Sequence, residues 1–186
     1  MIFPFLPASG DLYRGHPLPF LVKYGILRLF KTSAEPHKKS FGHHTKGESI
    51  LNTDKMKEFF KRDRFAGMIG VKIESITAAE VVCVLEIEER HLNASDYVQG
   101  GVVFTLADFT LAVASNYDDF TENKKNVTVS HSINITFFKP ASGKKLIAKS
   151  RCVQKGRKLS VYRVAVTDDT GTNVAEITGN AYTVSL

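Results

Sequence analysis

The chain has little of what several functional classes require. Its 186 residues include only two cysteines, Cys83 and Cys152, both in apolar, strand-like runs. That count excludes a disulfide framework and suits buried thiols in a reducing, cytoplasmic compartment. No apolar run approaches the roughly 18 residues that a membrane-crossing helix needs, so no membrane partner is expected. A clean apolar stretch followed by a small-residue cleavage site is missing, which argues against a signal peptide. Phosphate-loop, dinucleotide-binding and metal-ligand spacings are missing too, so neither a cofactor nor a metal is expected. Proline is scarce after residue 36, where only Pro140 remains.

The net charge is +6, and its location decides what it means. Residues 1–50 carry seven Lys/Arg against three Asp/Glu, whereas residues 51–186 carry 18 against 16. The later part is close to balance, so a field suited to nucleic acid is not expected.

What is present falls into two unlike segments. Five of the six prolines lie in residues 4–36 and four of the six histidines in residues 16–44. No sustained period of two or 3.6 residues runs through this part. Residues 1–51 are therefore expected to be a poorly ordered extension, or upstream sequence read in frame with Met56 as the true start. His43-His44, in a polar stretch, are read as no metal site.

From residue 52 the pattern sharpens into one domain, 52–186. Asp54 is placed to cap a helix running to about residue 64, with Met56, Phe59 and Phe60 on one face. GVKIESI (70–76) and EVVCVLEIEE (80–89) read as strands, and residues 99–117 as the longest helix. Four more strands follow over 127–139, 145–154, 158–167 and 173–185, separated by PASGK, KGR and DDTG turns. This order predicts an α+β fold, an antiparallel sheet wrapped around one long central helix.

The helix over 99–117 opens on Gly100-Gly101 and carries Asp108 inside an apolar stripe. One reading is a tight turn leading into an amphipathic helix whose polar stripe includes Thr105, Asp108 and Ser115. The other is chemical. A helix start presents unpaired N–H groups, glycine lets a ligand approach them closely, and such donors stabilise a carbonyl oxygen as it becomes anionic. A carboxylate at the right depth then acts on the carbonyl carbon or on a water. Gly100 and Asp108 are eight positions apart, or about 12 Å along a helix. One small carbonyl cannot touch both in one chain. If both act, the arrangement is a two-fold dimer in which each site takes Gly100 from one chain and Asp108 from the other.

These residues resemble a known family, the hotdog-fold acyl-CoA thioesterases of the phenylacetate-degradation type. The chain reads His91-Leu92-Asn93, then Gln99-Gly100-Gly101, then Leu106-Ala107-Asp108, with the family spacing. A second patch runs Val129-Ser130, Asn134-Ile135-Thr136 and Pro140-Ala141, and Lys155-Gly156-Arg157 is a weaker third. The resemblance covers roughly residues 55–186. It implies a hotdog fold, an acyl-CoA substrate, no cofactor, and a homodimer or homotetramer with sites at the subunit interface. It further implies that the Gly100 N–H, beside Gly101 and helped by Gln99, polarises the thioester carbonyl. Asp108 of the partner chain would be nucleophile or general base, Asn93 would orient the carbonyl or water, and Ser130 would hold the attacking water.

Two departures stand out. Gln99 replaces the family histidine; it still donates an N–H but cannot titrate near neutrality. Asp96 replaces a glycine. Ser130-His131 cannot form a nucleophile and base, because adjacent strand residues face opposite ways. Lys155, Arg157 and Lys158 are candidates for the phosphates of coenzyme A, or else a soluble hairpin tip. The expected function is hydrolysis of a small or medium acyl thioester, aryl acyl groups included. The alternatives are an acyl-thioester hydratase and a non-catalytic acyl-CoA-binding module.

Overall fold

A computed structural model describes residues 46–122 and 124–185, with side chains from Asn52 onward. Most of the N-terminal extension, with His43-His44, lies outside the described residues. The first helix, α1 (Lys46–Phe60), starts eight residues before Asp54 and crosses the boundary drawn at residue 51. Asp54 is therefore an exposed residue inside the helix rather than its cap. Met56 is fully buried on this helix, and Phe60 is nearly so. α1 stops at Phe60, and a separate short helix follows, α2 (Arg64–Met68). Asp63 caps it, accepting a 3.0 Å hydrogen bond from the Ala66 N–H.

Two strands, β1 (Lys72–Ile76) and β2 (Val81–Glu86), lead to the long helix α3 (Gly100–Ser115) and a short α4 (Tyr117–Thr121). Four strands complete the chain: β3 (Asn126–Phe137), β4 (Lys145–Gln154), β5 (Leu159–Asp168) and β6 (Asn173–Ser185). They form one six-stranded sheet in the order β1-β2-β4-β5-β6-β3, and every neighbouring pair is antiparallel. This is the expected architecture, with β3 left on one edge.

Alternation along the strands puts Leu146 and Ala148 of β4 and Val164 and Val166 of β5 on the face that covers α3, all with no exposed surface. α3 packs its buried face on the sheet, and its Phe109 meets Phe60 of α1 edge to face. Its Leu106, Ala107, Leu111 and Val113 are fully buried; complete burial of a leucine is worth about 1.5–3 kcal/mol. The helix lies close on the sheet at Gly179 of β6, where an added Cβ would come within 2.1 Å of Leu111 Cδ1. Buried Thr110 satisfies its hydroxyl locally, donating to the Leu106 carbonyl at 2.7 Å.

The C-terminal end of α3 is tied to β3. Buried Asn116 donates through Nδ2 to the carbonyls of Ala112 at 2.9 Å and Thr128 at 2.7 Å, and its Oδ1 accepts from the Thr128 N–H at 2.9 Å. A second anchor closes the far end of the sheet. The Asp168 carboxylate accepts from the N–H groups of Ser142, Gly143, Thr170 and Thr172 and from the Ser142 and Thr170 hydroxyls, at 2.7–3.1 Å. Burial alone would raise this carboxyl, but the hydrogen bonds outweigh it and hold it well below the usual carboxylate range.

Of the two cysteines, Cys83 is buried among core side chains, and burial pushes its thiol up to about 12. Cys152, expected to be buried, is exposed. It lies where β4 loses register with β5, so apolar neighbours in the sequence do not translate there into cover. Among the described residues, no helix is long and apolar enough to cross a membrane.

Candidate active site

The site is built on a loop and the helix it feeds. Buried His91 ends a 3₁₀ turn over Glu89–His91, and its Nδ1 accepts from the Glu88 N–H at 3.0 Å. Its carbonyl accepts from the Gln99 N–H at 2.8 Å, closing the loop 91–99. His91 is thus a structural anchor. Within the loop, Asn93 Oδ1 accepts from the N–H groups of Ser95 at 2.8 Å and Tyr97 at 3.2 Å. This uses the acceptor end of the amide and leaves Nδ2 as the donor. Asp96, in the family's glycine position, has φ +61°, a left-handed conformation that aspartate tolerates better than most side chains. The turn is therefore kept without glycine.

Gln99 is the N-cap of α3. Its Oε1 accepts from the Val102 N–H at 3.1 Å, so the amide nitrogen is left as the donor. Gly101 makes room for that cap, since a Cβ there would stand 2.6 Å from Gln99 Oε1. Gly100 borders a cleft of about 300 Å³, whose other walls include Asn93, Tyr97, Phe137, Phe138 and Pro140. Phe137 stands over Gly100, its ring 3.3 Å from where a Cβ would lie. The cleft therefore joins the first N–H groups of α3 to the Asn93 loop, beneath an aromatic wall. The sequence leaves Phe104, Phe109, Phe137 and Phe138 open between pocket wall and core; Phe137 and Phe138 line this cleft.

Two turns along α3, Asp108 is half-buried and accepts a 2.7 Å hydrogen bond from the Ser130 hydroxyl of β3. The spacing puts about 12 Å of helix between this pair and Gly100. One chain thus carries two separate groups: N–H and amide donors at the helix start, and a carboxylate held by a hydroxyl farther on. His131 is exposed and lies against the Tyr182 ring rather than beside Ser130. Asn116 and Thr128, which the sequence reading passed over, fix β3 to the end of α3 two residues before Ser130.

The turn between β4 and β5 carries the remaining candidates. Lys155 is already engaged, with Asp118 Oδ2 at 3.1 Å and the Tyr162 hydroxyl at 3.3 Å. Burial would lower its ammonium, but those two neighbours outweigh it and raise it. The Lys158 ammonium lies 5.8 Å from the centre of the Tyr182 ring, and Arg157 is exposed. Asp118 belongs to α4, just beyond the C-terminal end of α3. Within one chain this basic turn and the Gly100 cleft are at opposite ends of the helix.

Comparison with known proteins agrees with the fold. The thioesterase superfamily matches residues 96–175, from the loop into β6. The chain is similar to human acyl-coenzyme A thioesterase 13, with 29% identity over 125 residues, 65% of this chain and 86% of that protein. It is similar to the solved TT0310 protein from Thermus thermophilus, with 30% identity, a TM-score of 0.57, and coverage of 67% of this chain and 99% of that one. The PaaI protein of the Escherichia coli phenylacetic acid degradation operon superposes with a TM-score of 0.64 at 22% identity, over 75% of this chain and 95% of that one. Its fold is the hotdog arrangement described above.

Proposed function

The chain belongs to the thioesterase superfamily, and we propose that it hydrolyses an acyl-CoA thioester to the free acid and coenzyme A. The observation that carries this reading is the single helix bearing both halves of the chemistry. Gly100 opens its N-terminus into a cleft, and Asp108 stands two turns along with Ser130 bound to it. Its similarity to human acyl-coenzyme A thioesterase 13 supports the substrate class.

In this reading the thioester carbonyl lies in the Gly100 cleft. The Gly100 N–H and the Gln99 amide donate to its oxygen, and the positive end of the helix dipole favours the charge that develops there. Asn93 Nδ2 orients the carbonyl or the water. Asp108 attacks the carbonyl carbon or takes a proton from the attacking water, and Ser130 holds the carboxylate in line. The gap of about 12 Å along the helix makes the site a shared one, with Asp108 and Ser130 supplied by a second subunit. β3 offers the means. It is a 12-residue edge strand whose Val129 and Phe137, with Phe138 just after it, are about half exposed, and such an edge invites pairing with a copy of itself. A homodimer, or a homotetramer built from it, follows. Arg157 and Lys158 then face the coenzyme A phosphates, and Lys155 joins them by exchanging Asp118 for a phosphate. Two unpaired thiols fit a cytoplasmic setting.

The test is release of free thiol from a panel of short, medium and aryl acyl-CoAs. Turnover lost in Asp108→Asn supports the reading, and equal activity in that variant ends it. Tight binding without turnover would favour a non-catalytic acyl-CoA module. Addition of water to an enoyl-CoA without thiol release would favour a hydratase, although Gln99 supplies no titrating group for that chemistry.

A further inference from the structure

We propose that the cavity between α1, α2, β1 and α3 is a second binding site, which takes a medium-chain carboxylate with its chain inward and its head group at the rim. The cavity measures about 300 Å³, at the small end of ligand pockets. Its apolar wall is formed by Phe60, Ala66, Val71, Ile73 and Phe109. Phe60 and Phe109 meet edge to face at 5.7 Å and form the floor. The rim is basic, with Lys57, Lys61 and Lys72 on it.

Two of the three ammonium groups at the rim have no ion-pair partner among the described residues. Lys61 pairs with Glu58, and Asp63 spends a carboxylate oxygen on capping α2. Lys57 and Lys72 have no ion-pair partner among the described residues. A hydrocarbon would fill the cavity but leave both ammonium groups without a counterion, and a cation would be repelled. A chain of apolar carbons ending in one anion satisfies both parts of the site.

This site is distinct from the candidate active site. Its walls include none of Asn93, Gly100, Asp108 or Ser130. Phe109 follows Asp108 directly, but successive side chains on a helix diverge by about 100°. The proposal does not rest on hydrolysis: its readout is binding, although the ligand is of the class that thioester hydrolysis releases.

Calorimetric titration of the full chain with decanoate tests it. Wild type and Asp108→Asn should bind alike, and decanol should bind more weakly than decanoate. Gly67→Leu should weaken decanoate roughly tenfold or more by filling the space, since a Cβ at Gly67 meets nothing within 4 Å. The double reversal Lys57→Glu/Lys72→Glu should weaken it comparably, and it provides a second route should Gly67→Leu fail to fold. Undiminished binding in the folded variants would overturn the proposal. So would no binding to wild type up to millimolar decanoate, or displacement of decanoate by coenzyme A.

Discussion

The Ser130 hydroxyl of β3 donates a 2.7 Å hydrogen bond to Oδ1 of Asp108 on α3, joining an edge strand to the central helix. With one oxygen so held, the other has a fixed direction. Asp108→Asn should lower kcat for thiol release by roughly 10²–10⁴-fold, the range for a lost acid–base group. Ser130→Ala, which removes only a hydrogen bond to a charged group, should cost about 10- to 100-fold. Steady-state kinetics on both variants checks the order, and a larger loss from Ser130→Ala would reverse the roles assigned here.

Gln99 caps α3 and, in the proposed function, also donates to the carbonyl, and substitution separates the two. Gln99→Ala loses the cap on Val102 N–H and the amide donor, so it should cost about 1 kcal/mol of stability together with activity. Gln99→Glu keeps an acceptor for the cap and suits the helix dipole, yet it removes the donor and sets an anion beside the carbonyl. Its thermal midpoint should hold while turnover falls. If Gln99→Glu retains full activity, the amide does not serve the carbonyl.

A shared site predicts complementation between subunits. Asp108→Asn and Gly100→Val homodimers should both be inactive. Remixed, half of the dimers are hybrids with one intact site of two, so about a quarter of wild-type activity should return. Activity that stays absent after verified subunit exchange would mean that each chain works alone.

The Asp168 anchor sets the response to acid. Its folded carboxyl titrates below its unfolded value of about 3.9, so its stabilisation is complete above that pH. It is lost as pH falls below about 3.9 toward the folded value. Asp168→Asn leaves buried N–H donors facing an amide, and should cost about 2–4 kcal/mol at pH 7. Urea midpoints at pH 7 and pH 3 should show the gap between variant and wild type narrowing in acid. A gap independent of pH would assign the stability to packing instead.

The strands over 145–154 and 173–185 were legible to the residue, because alternation and turn chemistry agree there. α3 was legible from its length, and its opening from Gly100-Gly101. The start of α1 was not, since the sequence over Lys46–Asn52 is largely polar and shows no apolar period. α2 and α4 are five residues each, too short to show a period. At the site, Asp108 and Gly100 stand out because each breaks the pattern of a core helix. Asn116 does not, because a buried amide clamping helix to strand reads in sequence like any polar residue at a helix end. The burial of Cys152 was misjudged for a related reason: register loss at a strand end has no signature in hydropathy.

One absent side chain reaches far in this fold. Leu111 fills the hollow over Gly179, one of the places where α3 lies close on the sheet. Asp108, three residues before Leu111, lies within reach of Ser130 on the neighbouring strand. A methyl group added at Gly179 would meet Leu111 Cδ1 at 2.1 Å, so either that side chain turns aside or the helix one turn from Asp108 shifts, and a weakened Ser130–Asp108 contact would be the sign of the second.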